Sequence, residues 1–219
     1  MEPFKVSPHL SALLDSYPDV QLIVDAAKKG GETSRAAIAR LWLSEGIPFA
    51  FKNAPALYEV IRAWLGVRLD VNPKEIHLSG SARLGQSLAP HKIGTAFGQH
   101  SDLDLFVVSE SLFEKVRNEF NKWSTQFEGG TIQPKNAKEK EYWEDNNIRG
   151  YKNLQRGFID SKIIPNREAY PTVCNISNSM WLLKGRLDVT SNAPKIQSAS
   201  VRCYKNWDSY VRQVMTNLE

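Results

Sequence analysis

The stretch Asp102-Leu103-Asp104-Leu105-Phe106-Val107-Val108 alternates carboxylate and hydrocarbon and then becomes wholly apolar. A helix would scatter these residues around its circumference, whereas a strand sorts them by side, so a β-strand is expected here. Asp102 and Asp104 then project from one side, about 6 to 7 Å apart at roughly 3.3 Å per residue, while Leu103, Leu105 and Val107 face a core. Two carboxylates this close repel unless a cation sits between them. Hard oxygen ligands on a rigid strand suit Mg²⁺ carrying a nucleotide's phosphates. Taken alone, the same pattern also describes an ordinary half-buried strand with one wet side.

What precedes the strand favours chemistry. Ile76-His77-Leu78 is a short apolar run that breaks at Ser79-Gly80-Ser81, and Ala82-Arg83-Leu84-Gly85 reads as the opening of a helix. A strand entering a glycine-containing turn at a helix start leaves backbone N–H groups free for phosphate oxygens, and Ser81 adds a hydroxyl. Gly80-Ser81, Gly85 and Ser101-Asp102-Leu103-Asp104-Leu105 together resemble the signature of the DNA polymerase beta-type nucleotidyltransferase superfamily. The motif lies within residues 76–108, under a fifth of the chain. The resemblance implies an α/β (α+β) fold in which a short mixed central sheet is flanked by helices. It also implies that Asp102 and Asp104 hold two Mg²⁺ (or Mn²⁺) ions. Gly80, Ser81, Arg83, Lys92 and Ser101 would bind a nucleoside triphosphate, whose α-phosphorus is attacked by an acceptor hydroxyl as pyrophosphate leaves.

Minimal members of that superfamily bring the Asp pair closer to the Gly-Ser turn than this chain does. Residues 88–100 intervene, and Pro90, Gly94 and Gly98 break any continuous helix, so a helix of one or two turns and then a loop beside the site are expected. His91 and Lys92 lie in that loop within reach of a triphosphate, or on a solvated tip; His100 is either a proton shuttle or a bystander. Most members also use a third carboxylate on a neighbouring strand, to complete the metal site and take the acceptor's proton. Gly157-Phe158-Ile159-Asp160-Ser161-Lys162-Ile163-Ile164-Pro165 reads as such a strand, making Asp160 the first candidate. Asp188 is the other, but its apolar neighbours recur at helical spacing and place it on a helix surface.

Composition allows this reading without demanding it. A chain of 219 residues with 42% hydrophobic content can bury a sizeable core. The net charge of +4 arises from residues 128–219, which hold 14 Lys and Arg against 10 Asp and Glu. That bias permits an RNA partner. Cys174 and Cys203 stand far apart and lack metal-ligand spacing, so reduced thiols in a cytoplasmic protein are expected. No leader-like segment and no long apolar run suggests a membrane partner.

The first 70 residues read as a helical extension packed on a core of residues 71–219. A short helix is expected over Leu10 to Leu14, another from Pro18-Asp19 to the glycines Gly30-Gly31, one capped by Thr33-Ser34 through Leu43, and one opened by Ala54-Pro55. Residues 45–52 form an apolar connector expected to pack on the core or to offer a partner surface. After the Asp pair, Ser109 caps a helix with Leu112, Phe113, Val116, Phe120 and Trp123 on its inner side. Residues 131–147 read as an exposed linker or surface helix, and Arg149 to Arg156 as a basic, aromatic segment suited to phosphates or as a solvated turn. A helix over Asn178 to Asn192, a strand over Ala199 to Tyr204 with Arg202 directed at the cleft or at a surface carboxylate, and a helix from Trp207 to Leu218 complete the chain.

The motif leaves the acceptor open. It is RNA, tRNA among the candidates, or a protein, in a toxin-antitoxin or phage-defence setting. A synthase of a nucleotide second messenger and a non-catalytic nucleotide-binding module are the alternatives.

Overall fold

A computed structural model describes residues 6–219 as a mixed α/β protein. Four short strands, β1 (Ile76–Leu78), β2 (Leu103–Val108), β3 (Phe158–Asp160) and β4 (Ala199–Tyr204), form one sheet in the order β1-β2-β4-β3. β2 and β4 run parallel at the centre, with Asp104 opposite Ser200 and Phe106 opposite Arg202. The edge strands are antiparallel to them: β1 sets His77 against Phe106, and β3 sets Asp160 against Arg202. The sheet is therefore mixed, and eight α-helices accompany it among the described residues.

Alternation along the strands makes the two sides of the sheet unlike. One side carries Leu103, Leu105, Val107, Ile159, Val201 and Cys203, all buried in the main core. That core is completed by α3 (Pro55–Leu69), α5 (Glu110–Glu128), α6 (Ala137–Gln155) and α7 (Pro171–Val189), which contribute Leu65, Phe120, Trp143 and Leu183 among others. The other side is divided along its length. Its far end is apolar, with Phe106, Val108, Phe158 and Tyr204 packed on Tyr210 of α8 (Trp207–Asn217). Its near end carries Asp102, Asp104, Ser198 and Ser200 and lies open.

The N-terminal helices do not form one separate unit. α1 (Val20–Lys29) and α2 (Gly31–Arg40) share a small core with Leu84, against which Val214 of α8 and Leu218 just after it pack, whereas Leu65 and Leu69 of α3 belong to the main core. Residues 45–52 join them; Pro48 to Phe51 turn inward, with Phe51 buried beside Tyr58 at 5.4 Å between ring centroids, while Glu45 to Ile47 stay exposed. The expected helix over Leu10 to Leu14 is instead a pair of hydrogen-bonded turns, since so short a segment with one buried residue, Leu13, cannot offset the cost of helix nucleation. The glycines end α1 as expected, yet they also start α2: Gly30 precedes it directly, and Ser34 lies buried within the helix rather than capping it.

Residues 137–155 form a regular helix, capped by Asn136, whose Oδ1 accepts the Glu139 N–H at 2.8 Å. Its charged surface hides a narrow inner stripe of Trp143, Asn146 and Gly150, and Arg149 to Gln155 are its last turns rather than a loop. α7 begins seven residues before Asn178. Glu119 of α5 accepts the free N–H groups of Thr172 and Val173 at 2.7 and 3.0 Å, so a distant carboxylate caps this helix.

Candidate active site

β1 leads through Ser79 into α4 (Gly80–Leu84) beside the Asp pair. Ser79 is tied to β2 by two bonds to the Asp104 carbonyl, from its N–H at 2.9 Å and its hydroxyl at 3.2 Å. Gly80 takes φ +61°, a conformation costly for a side-chain-bearing residue, and a Cβ there would stand 3.7 Å from Asp104 Oδ2. The glycine turn and the Asp104 carboxylate are thus direct neighbours, although 24 residues separate them in the chain.

Both carboxylates are exposed and anchored from β4 and the residue just before it. Ser198 Oγ donates to Asp102 Oδ1 at 2.6 Å, and Ser200 Oγ donates to Asp104 Oδ1 at 2.7 Å. Each Asp keeps its second oxygen free of these bonds, so the pair presents oriented acceptors to solvent. Sequence reasoning did not single out the two serines. Their signal is Ser198-Ala199-Ser200, with the same two-residue spacing as the Asp pair, entering a strand whose parallel register places them opposite.

A cavity of about 620 Å³, the size of a small-molecule site, is bounded by Ser79, Gly80, Asp104, Ser200, Asp160 and Arg202, with α8 as its far wall. Asp160 therefore reaches the cavity that Asp104 borders, from a strand that does not adjoin β2. β2 lies between β1 and β4; β4 and the residue before it offer Ser198, Ser200 and Arg202 on this side, and β3, with Asp160, is one strand further out. Asp160 is bound by Arg202, with Nε donating to Oδ1 at 2.7 Å and Nη2 to Oδ2 at 3.1 Å. Burial opposes the Arg202 charge, yet the adjacent carboxylate outweighs it and raises the guanidinium pKa. Among the described residues no three His, Cys, Asp or Glu side chains are grouped to hold a metal. Two carboxylates with neighbouring hydroxyls do fit a hard cation that takes its remaining oxygens from water and phosphates, as Mg²⁺ does. Asp188 lies on α7 in a salt bridge with Lys184 at 2.5 Å, on the helix surface.

The other expected nucleotide ligands divide. Ser81 is half-buried in the first turn of α4. Arg83 is buried, 4% exposed, and its guanidinium donates to the carbonyls of Ile47, at 2.9 Å, and Glu45. A buried guanidinium needs acceptors, and the connector supplies them, so Arg83 fastens residues 45–47 to α4. Ser101 turns its hydroxyl to the Gly98 N–H at 3.1 Å, closing the loop before β2. Lys92 and His91 are exposed in a 3₁₀ turn over Pro90–Lys92, and only Leu88, Ala89 and Pro90 of that loop border the cavity. His100 is exposed beside Gln99. Arg149 lines a smaller recess of about 230 Å³ behind Asp160 and Arg202, where it pairs with Asp145 at 3.0 Å.

The largest cavity, about 1130 Å³, lies apart from the Asp pair, around His77, Lys74 and Trp207. Compared with protein-family models, with curated proteins and with solved structures, the chain matches none. No helix among the described residues is long and apolar enough to cross a membrane.

Proposed function

We propose that the protein is a metal-dependent nucleotidyltransferase that moves a nucleoside monophosphate from a triphosphate to a hydroxyl of RNA. The observation that carries this reading is the anchoring of Asp102 and Asp104 by Ser198 and Ser200, beside the Gly80 turn. The serine bonds fix the carboxylate orientations before any ligand arrives, which reduces the reorganisation needed during the reaction. Bound by this pair together with a triphosphate, Mg²⁺ or Mn²⁺ would neutralise charge on the attacking and leaving oxygens. Gly80, with no side chain, lets phosphate oxygens approach the turn closely. Arg202, pinned by Asp160, places a fixed positive charge on the cavity wall for the same phosphates. Asp160 then acts as a positioning residue. The acceptor oxygen bonds to the α-phosphorus as the bond to pyrophosphate breaks, and the hydroxyl proton passes to water.

The test is incubation with each α-labelled triphosphate, Mg²⁺ or Mn²⁺ and total tRNA, followed by separation of RNA, protein and small products. Label is expected in RNA and should vanish in Asp102→Asn and Asp104→Asn. Label in protein or in a new small nucleotide would move the acceptor assignment to those classes. A second reading, a nucleotide-binding module without transfer, draws on one observation: β4 offers serines and an arginine where a third carboxylate is expected. It requires that triphosphate binds, that no product forms under any condition, and that Asp102→Ala leaves cellular function intact.

A further inference from the structure

Behind the Asp pair lies a second cavity, of about 560 Å³, opening between α6, α7 and the start of β4. Ser198 and Ser200 line it, and the same two hydroxyls hold Asp102 and Asp104. Ser200 also borders the cavity that contains Gly80, Asp104 and Arg202, so the two spaces share the hydroxyl that holds Asp104. Their chemistry differs. The Gly80 side offers a glycine turn and a pinned guanidinium, which suit phosphates. This side offers large exposed rings and amines: Trp181 is 76% exposed, Tyr142 is 51% exposed, and Lys135 and Lys162 have no carboxylate within salt-bridge distance among the described residues. The one acidic lining residue, Glu139, faces Arg167 at 3.8 Å.

A tryptophan three-quarters exposed on a regular helix gains nothing from its own fold, and α7 turns Met180 and Leu183, not Trp181, to the core. Flat aromatic surfaces beside unpaired lysines match unpaired nucleotides, whose bases stack and whose phosphates take the ammonium groups, with little regard to sequence. A duplex hides its bases and cannot use the rings. We propose that this cavity seats the single-stranded end of the RNA acceptor, with a terminal base on Trp181 or Tyr142 and its phosphates at Lys162 and Lys135. The terminal hydroxyl then reaches the Asp pair from the side opposite the triphosphate. The role as acceptor rests on the transfer reading above; the binding of single-stranded RNA does not.

The experiment uses the full chain and a 5′-fluorescein single-stranded oligoribonucleotide of about six nucleotides, within the usual span of such sites, titrated by fluorescence anisotropy without triphosphate. Trp181→Ala should weaken binding about tenfold or more, the loss of one stacked base. Lys162→Ala should weaken it less and lower the salt dependence by about one phosphate contact. Both residues lie on the surface, and circular dichroism of each variant confirms folding. A fluorescent triphosphate with Mg²⁺ should bind both variants as it binds the parent chain. Wild-type RNA affinity in both variants would overturn the proposal. So would a Trp181→Ala variant that loses triphosphate affinity but keeps RNA affinity, because the cavity would then hold the donor base. If RNA binding depends on Trp181 but no label ever reaches RNA, the cavity assignment stands and the transfer reading falls. If label reaches RNA and Trp181→Ala changes neither affinity nor transfer, the reverse holds.

Discussion

Asp160→Asn separates the two roles that this residue could have in a nucleotidyl transfer site. As a positioning residue it holds Arg202 through two charge-assisted hydrogen bonds of 2.7 and 3.1 Å. Hydrogen bonds to charged groups contribute about 1.5 to 3 kcal/mol when well shielded. Here the Arg202 and Asp160 side chains are 36% and 34% exposed, so solvent screening reduces the figure to roughly 1 kcal/mol. The amide keeps the volume and one acceptor but loses the charge. If that loss is felt by the triphosphate through a loosened Arg202, its KM should rise about fivefold, with kcat changed by less than about threefold. Arg202→Lys, which removes the planar fork, should give the same pattern. The assay is steady-state transfer to RNA over a range of triphosphate concentrations, alongside urea denaturation to measure the stability loss of about 1 kcal/mol. A fall in kcat of about a thousandfold with KM unchanged would refute the reasoning, since only a group acting at the reacting atoms behaves in that way.

Two further outcomes follow from the packing. His77 stacks on Phe106 at 5.0 Å and meets Trp207 at 5.1 Å, and burial drives its pKa down from 6.5 to about 4. The unfolded chain takes up this proton below about pH 6.5 and the folded chain only below about pH 4, so stability falls as the pH drops through that window, by at most about 3 kcal/mol. Melting temperature against pH should show the slope, and His77→Phe should flatten it; an unchanged slope refutes the assignment. In α6, Gly150→Ala would raise helix propensity by about 1 kcal/mol on an open surface. Its Cβ, however, would fall 2.0 Å from Cε2 of the buried Phe120, so a net loss of about 1 to 3 kcal/mol is expected in chemical denaturation, and a gain would contradict the packing.

What the sequence discloses here is what is local and periodic. The alternation from Asp102 to Val108, the stripe from Leu112 to Trp123, and Pro55 at the start of α3 each act within a few residues and appear where the pattern places them. Features set by distant partners were not legible. α7 owes its early start to Glu119, 52 residues before Pro171. Arg83 sits in a motif that resembles a nucleotide site, yet burial under residues 45–47 gives it a structural task. Asp160 could be read as the end of a strand, but its partner Arg202 depends on the order of strands, which no local pattern encodes. Ser198 and Ser200 became visible as ligands of the Asp pair only through the register of β2 and β4.

That register has a consequence in time. Each serine lies 96 residues along the chain from the carboxylate it holds, and β4 is the last in sequence of the four described strands. Until it emerges from the ribosome, β2 lacks its central partner, the Asp pair swings free, and neither cavity has its shared wall. Pairing across so long a separation is also slow relative to helix formation. The two anchored carboxylates are therefore fixed only once β4 has paired with β2, long after their own strand is made.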